Sequence, residues 1–367
     1  MKFRSIALLL CIIPALLFAQ GTKEQAIQER DYYQAVDANG RTLKLQEKPS
    51  KVLIAGKAGN MPANALFLFP EVTTMELTIP KTDQGLGDFF SFIRPSLDDN
   101  PRISQNASVE EIASYQSDLV LTKATHFESI ARKLDQLGVA NFTMNLESYE
   151  DWKREIVELG KLLQNNSRAQ EILNLYEERL NPIKQTAASI KAQDKKRVLL
   201  LQANTTENTY SYKIAPDTWM QTWMVETIGA EAVWKGSNKA ANGWSTVSFE
   251  QIAAWDPDII IVVSYRTPTD QYIEAIYASE IWSSLRAVKT KQVKASPYDM
   301  MNYIQPVASW ILGLQWMASE VYPECFPDLD MREEVASFYL DFYNLTDEDK
   351  LGMMVDRYSK SVAINLR

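Results

Sequence analysis

The chain has 367 residues, 46% of them apolar, with 47 acidic against 38 basic side chains and a formal net charge of −9. That apolar content excludes a disordered chain, and the acidic balance argues against nucleic acid or an anionic membrane surface as partner. The length asks for one large or two medium domains.

Lys2 and Arg4 precede an apolar run from Ile6 to Phe18, with Leu17-Phe18-Ala19 as a tolerable cleavage site. This predicts a secretory signal peptide over residues 1–19, the run being too short for a membrane span. Cys11 follows three leucines, but bulky Leu10 and the short apolar run ahead of it argue against a lipid anchor there. Cleavage removes two positive charges and no negative ones, taking −9 to −11, and leaves Cys325 as the only cysteine. Export without disulfides predicts a periplasmic or cell-envelope location in a bacterium or archaeon.

Gln20 to Gln34 reads as a polar leader, and Asn39-Gly40 within Val36–Thr42 as a hairpin turn. Lys51 to Ala55 (KVLIA) is the first buried strand; a helix over Ala63 to Phe69 and a strand over Met75 to Ile79 follow. Lys81 to Asn100 is rich in Gly, Asp and Pro and reads as loop. Ser108 to Leu121 (SVEEIASYQSDLVL) then gives a helix start and a buried strand. A helix over His126 to Leu137 ends at Gly138, and Val139 to Met144 is the last strand of the first half. Ser148 to about Lys191 is helical, with apolar stripes Ile156, Leu159, Leu162, Leu163 and then Ile172, Tyr176, Leu180, Ile183, Ala187, Ile190, and a kink expected at Pro182. Its second segment spans roughly 36 Å at 1.5 Å per residue and would make a stiff crossing between two lobes.

Arg197 to Gln202 (RVLLLQ) opens the second half as KVLIA opened the first, and Thr218 to Ile228 is a helix with Gly229 past its end. Ser248 to Ile261 (SFEQIAAWDPDIII) repeats Ser108 to Leu121 at an offset of 140, five of fourteen positions being identical. Ser248 is the N-cap, Gln251 its capping-box partner and Val247 with Ile252 a hydrophobic staple; Asp256-Pro257 stops the helix before the β-branched strand Ile259–Val263. Glu111 would be the capping-box partner in the first copy. A helix around Gln271 to Leu285, a short strand Val293 to Ser296, closing helices Val307–Tyr322 and Met331–Tyr343 and a polar tail complete the chain. Strands alternating with helices in each half predict an α/β fold with two mainly parallel sheets.

The duplicated S-x-E-x-I-A…D-[LI]-[VI]-[LI] unit, the long helix between the halves, and Trp-Ser-Thr-Val-Ser at Trp244–Ser248 together resemble the periplasmic substrate-binding proteins of ABC importers for vitamin B12, iron–siderophore and haem. The resemblance covers roughly Leu43 to Leu340. It implies two Rossmann-like lobes joined by a single long rigid helix, a ligand in the cleft between them, and small closure movements. The boundaries that follow are a signal peptide over 1–19, an N-terminal lobe over 20–147, a helical segment over 148–195, a C-terminal lobe over 196–345 and a tail over 346–367. It also implies that Glu110 and Glu250, equivalent within the repeat, dock onto an ABC permease dimer working with its ATPase; alone, each would be an ordinary first-turn carboxylate favoured by the helix dipole.

In such lobes ligands meet loops at the carboxyl ends of strands. Aromatic side chains are dense there, at Tyr210, Tyr212, Trp219, Trp244, Tyr265, Tyr298 and Tyr303, and flat rings suit a macrocycle or chelate. Trp244 aligns with a ligand-contacting position of the B12-binding relatives. Arg94 and Arg266 could pair with carboxylates or oxyanions of a ligand, and Met300-Met301 could offer soft apolar contact. His126, the only histidine, is either an axial haem ligand or a helix-start residue; a naked zinc or manganese site would need more histidines. No G-x-S-x-G, Cys/His pair or P-loop is present. The expectation is a monomeric, non-enzymatic receptor with no resident cofactor, carrying an iron–siderophore. A corrinoid, haem or oxyanion such as molybdate or tungstate is the alternative ligand, and a chelatase-like enzyme the alternative class.

Overall fold

The computed structural model describes residues 33–81, 84, 86–207, 209–240, 243–265 and 267–366. The expected signal peptide, Cys11 and Arg266 lie outside the described residues.

β1 (Tyr33–Val36) and β2 (Thr42–Leu45) form an antiparallel hairpin. The Asp37 carboxylate holds its turn by accepting from the backbone N–H groups of Asn39 and Arg41. The first lobe continues through β3 (Lys51–Ala55), α1 (Asn60–Phe67), β4 (Glu76–Thr78), α2 (Phe89–Ile93), α3 (Val109–Ser114), β5 (Leu119–Lys123), α4 (Arg132–Gln136) and β6 (Asn141–Met144). Its four strands are all parallel, in the order β4-β3-β5-β6. The helix expected over His126–Leu137 begins as a 3-10 turn and a π turn, Ala124–Ala131, before α4. The expected loop over Lys81–Asn100 contains α2, capped by the Asp88 carboxylate, and a 3-10 turn.

α5 (Tyr149–Leu162) and α6 (Asn166–Ser189) follow, separated by the cap residue Asn165. The buried face of α6 is Ala169, Ile172, Tyr176, Leu180 and Ile183, spaced three and four apart as a helical stripe requires. Tyr176 stacks on Trp310 at 4.8 Å and donates to the Ala308 carbonyl at 2.9 Å.

The second lobe comprises β7 (Arg197–Thr206), β8 (Thr209–Ile214), α7 (Met220–Thr227), β9 (Glu231–Ala232), β10 (Ser245–Val247), α8 (Phe249–Trp255), β11 (Ile259–Val263), α9 (Asp270–Ala278), α10 (Arg286–Lys289), β12 (Val293–Ala295), α11 (Trp310–Val321), α12 (Met331–Tyr343) and α13 (Glu348–Val362). Its sheet runs β10-β8-β7-β11-β12, with β9 also on β7. β7, β9, β11 and β12 are parallel, whereas β8 and β10 are antiparallel additions. The stretch bearing Tyr210 and Tyr212, expected on a ligand-facing loop, is thus a hairpin strand, and the alternation Thr209-Tyr210-Ser211-Tyr212-Lys213-Ile214 is the signal for it.

The doubling is structural as well as sequential. Asp118 accepts from the Ser50 and Lys51 N–H groups, both at 2.8 Å, and Asp258 accepts from the Arg197 N–H at 2.8 Å. Each aspartate therefore fastens the start of its lobe's central strand, β3 or β7, to the strand it precedes. Registers match too: Val52 opposes Leu119 and Val198 opposes Ile259.

The polar tail expected after residue 345 is instead α13 and a short 3-10 turn. Tyr358 and Met354 bury one face of α13. Arg357 donates to the Leu86 carbonyl and Lys350 to that of Phe92, at 2.7 Å, so α13 grips the α2 segment of the first lobe. Asn365 pairs with both backbone groups of Ala295, covering the free edge of β12. The lobes are therefore joined by the C-terminal helices as well as by α6.

Candidate functional site

At the carboxyl end of β3 the chain turns through Gly56, at φ +84°, where an added Cβ would stand 2.8 Å from His126 Cδ2. Only glycine gives both that dihedral and that clearance. The turn delivers Lys57, Ala58, Asn60 and Met61 to one wall of a cleft of about 510 Å³. Gln84, Gln105 and Glu147 complete the first-lobe side, and the second lobe adds Gln202, Asn204, Trp219, Gln221, Trp244, Tyr265, Gln305 and Pro306. Most of these residues lie at or just beyond strand ends, where an α/β lobe presents ligands.

Three rings line the second-lobe side. Trp219 meets Trp244 edge to face at 5.9 Å, and Trp244 meets Tyr265 at 6.3 Å. The Tyr265 hydroxyl donates to the Ile304 carbonyl at 2.8 Å, and burial pushes its pKa well above the ordinary tyrosine range, so it stays a neutral donor. Across the cleft, Gln84 and Gln305 exchange amide hydrogen bonds at 3.0 and 3.2 Å. Glu147 pairs at 2.8 Å with the buried amine of Lys123, and its carbonyl accepts from the Met220 N–H at 2.7 Å, tying the lobes at the floor. A second cavity of about 310 Å³ shares Glu147 and Trp219 with the first and is otherwise lined by Ala124, Thr125, Asn145, Ser148, Asp151 and Thr218. Among the described residues, no group of three or more His, Cys, Asp or Glu side chains is placed to hold a metal ion.

Of the residues expected at the ligand, the structure brings Trp244 and Tyr265 to the cleft. Four others stand elsewhere. Arg94 is a correction: its guanidinium donates to the Val72 and Met75 carbonyls and to Ser96, closing a turn. Tyr303 is fully buried, its hydroxyl donating to Asp299 at 2.8 Å, because the buried Asp299 carboxylate needs that donor and Tyr339. Tyr210 lies on β8, its ring edge-on to Tyr272 at 5.2 Å. Tyr298 is not among the residues lining the cleft, and its N–H donates to the Ser361 hydroxyl at 3.0 Å. His126 also lies behind the wall, its Nε2 3.1 Å from the Lys57 carbonyl oxygen. Met300 and Met301 are buried, and Met301 Sδ accepts from Asn64. The amide side chains, which make up much of the wall, carry neither charge nor aromatic pattern in the sequence. Gln202, a polar residue closing an apolar strand, is the one that pattern could have found.

Glu110 and Glu250 occupy equivalent places, each the second residue of its helix and fully exposed. Hydrogen bonds at the helix start hold both carboxyls below the ordinary glutamate range, from its own backbone N–H and then Ser108 for Glu110, and from Ser248 and then its own N–H for Glu250. The capping box closes in α8, where Gln251 accepts from the Ser248 N–H at 3.0 Å. In α3 only one half is present among the described residues, the Glu111 N–H donating to the Ser108 hydroxyl oxygen at 3.1 Å.

The family described as periplasmic binding protein matches residues 102–299. The Haemophilus influenzae molybdate-binding protein MolA is 30% identical over 124 residues, 33% of each chain. The Bacillus subtilis iron-uptake system-binding protein is 25% identical over 214 residues, 57% of this chain and 62% of that one. The chain thus spans a third to three fifths of the length of these curated relatives. The crystal structure of a periplasmic solute binding protein from Veillonella parvula superposes with a TM-score of 0.67 at 22% identity, over 91% of this chain and 98% of that one, and shares the two-lobed fold.

Proposed function

The chain belongs to the periplasmic binding protein family, and from that premise we propose that it captures an organic metal chelate, above all an iron–siderophore, between its lobes and delivers it to an ABC permease dimer. Members of this family are exported solute-binding components of ABC transporters and not enzymes.

The observation that carries the chelate is the cleft itself. At about 510 Å³ it has the size of sites that enclose organic ligands, roughly 300–1,000 Å³, and a four-oxygen anion would leave most of it empty. Its wall joins the faces of Trp219, Trp244 and Tyr265 to neutral amides, which suits a ligand with apolar faces and many carbonyl and N–H groups. Lys57 is the only lysine or arginine on the wall among the described residues, a thin complement for the carboxylates of haem. Glu110 and Glu250 are the residues we assign to the permease, one on each lobe.

Ferrioxamine B, ferric enterobactin, cyanocobalamin, haemin and molybdate, each titrated into the purified protein, test the reading through tryptophan fluorescence and visible absorption. A ferric chelate is expected to quench Trp219 and Trp244 and to bind most tightly. Binding of molybdate alone, or of haemin or cyanocobalamin ahead of every ferric chelate, would refute it.

A further inference from the structure

The amides on the cleft wall are not equally satisfied. Gln84 and Gln305 serve each other, and Gln105 donates to the Lys81 carbonyl at 3.0 Å. Gln221 differs. It is the second residue of α7, lies on the wall and is 1% exposed. Its Nε2 donates to the Ile304 carbonyl at 3.5 Å, while its Oε1 has no partner among the described residues. Turning the amide over would set Oε1 against the Ile304 oxygen, so the unmet end is the acceptor. The Tyr265 hydroxyl gives its proton to the Ile304 carbonyl at 2.8 Å and meets the Gln221 amide only as an acceptor, so it leaves Oε1 unmet. A buried acceptor without a donor is costly, and in a binding wall the donor is supplied from outside.

We propose that Gln221 is a specificity-determining residue whose Oε1 selects a ligand bearing an N–H or O–H donor at the back of the cleft and rejects an oxyanion that carries no hydrogen. The inference rests on the chelate reading and narrows it to chelates with amide, hydroxyl or ammonium arms. The adjoining 310 Å³ cavity, which shares Glu147 and Trp219 with the cleft and is lined also by Thr125, Asn145, Ser148 and Asp151, gives such an arm room and further hydrogen-bonding groups. A site built to bond a donor discriminates strongly against an analogue lacking it, because its own buried group is then left unpaired.

The test compares wild type, Q221M and Q221E by calorimetric titration with ferrioxamine B (a ferric trihydroxamate with amide N–H groups and an ammonium end), ferric enterobactin and molybdate, with melting curves as the folding control. For whichever ferric chelate the wild type binds most tightly, Q221M is expected to lose about tenfold to a hundredfold in affinity, while Q221E, whose buried carboxyl as the neutral acid donates its O–H to the Ile304 carbonyl and keeps a carbonyl acceptor on the wall, stays within about threefold. If Q221M does not fold, Q221E carries the test, and its losing more than about tenfold overturns the proposal. A folded Q221M of unchanged chelate affinity overturns the role of Gln221 and leaves the chelate reading standing. Wild type that prefers molybdate, or binds no chelate, overturns both.

Discussion

Glu155→Gln is expected to remove a pH dependence built into the floor of the cleft. Glu155 lies on α5 with its side chain fully buried, and its Oε2 accepts from the Leu146 N–H at 3.1 Å. Leu146 is held at φ +59°, and the next residue is Glu147, which lines the cleft and bonds across the lobes. Burial raises the Glu155 carboxyl from an ordinary 4.5 to about 7; Arg154 opposes the rise and Asp151 adds to it. The folded protein therefore keeps a proton that the unfolded chain has released. The stability this confers is complete below about pH 4.5 and is lost as pH climbs through about 7. Each tenfold in proton affinity is about 1.4 kcal/mol, so ionisation withdraws roughly 3 kcal/mol. A glutamine keeps an oxygen for Leu146 and never ionises. Urea unfolding followed by tryptophan fluorescence at pH values from about 4.5 to about 8 should show E155Q gaining on wild type by up to roughly 3 kcal/mol across that window. A difference between the two proteins that does not change with pH would refute the reasoning.

Glu110→Ala combined with Glu250→Ala is expected to abolish uptake by a strain carrying the cognate permease while ligand affinity stays nearly intact; parallel loss of both would sink the docking assignment. Trp244→Ala removes the middle ring of the Trp219–Trp244–Tyr265 row and should weaken binding of the tightest ferric chelate roughly tenfold to a hundredfold without lowering thermal stability by more than a few degrees. Titration and a melting curve decide it. Gly56→Ala must hold an alanine at φ +84° with its Cβ 2.8 Å from the His126 ring, so chemical denaturation should find it about 1–3 kcal/mol less stable; a neutral result would mean that the turn relaxes freely.

The fold was legible in the sequence wherever apolar periodicity and caps act locally. KVLIA, Ile259–Val263 and the Ser248 capping box appear where expected because a buried run and a Ser-x-x-Gln start need no distant partner to be read. β8 was missed because Tyr210 and Tyr212 read as binding-loop aromatics, when their alternation with Ser211 and Lys213 is a strand's. α13 was missed because six charged residues, Glu348, Asp349, Lys350, Asp356, Arg357 and Lys360, make the stretch look polar and hide the apolar positions Leu351, Met354, Val355 and Tyr358 until its partner α12 is known. At the candidate site, aromatic density pointed to Trp244 and Tyr265, which line the cleft, but could not separate them from Tyr303, which serves a buried carboxylate 4 residues away. Arg94 misled for a related reason. Whether a guanidinium faces a ligand or a row of backbone carbonyls depends on where the chain folds back, and residue type is silent on that.

The central strands of the two lobes diverge at one residue, and that residue separates the two tasks proposed for the molecule. Their central strands share a register in which Val52 corresponds to Val198 and Ala55 to Leu201. One residue further, Gly56 turns β3 into the loop that carries Lys57 and leads to α1, whereas its counterpart Gln202 stays in β7 and lines the cleft as the strand runs on to Thr206. From there the lobes have nothing in common on the wall: Lys57, Asn60 and Met61 face Gln202, Asn204, Trp219 and Gln221. Behind that point, the aspartate fasteners and the helices bearing Glu110 and Glu250 repeat. On the docking we propose, a permease dimer with a two-fold axis needs like points on both lobes, and the repeated part offers Glu110 and Glu250. A ligand has no such symmetry, and a wall made of two copies of one loop could offer it only matched halves. Divergence at the first residue beyond the shared register gives the ligand an asymmetric wall at no cost to the repeated face assigned to the proposed partner.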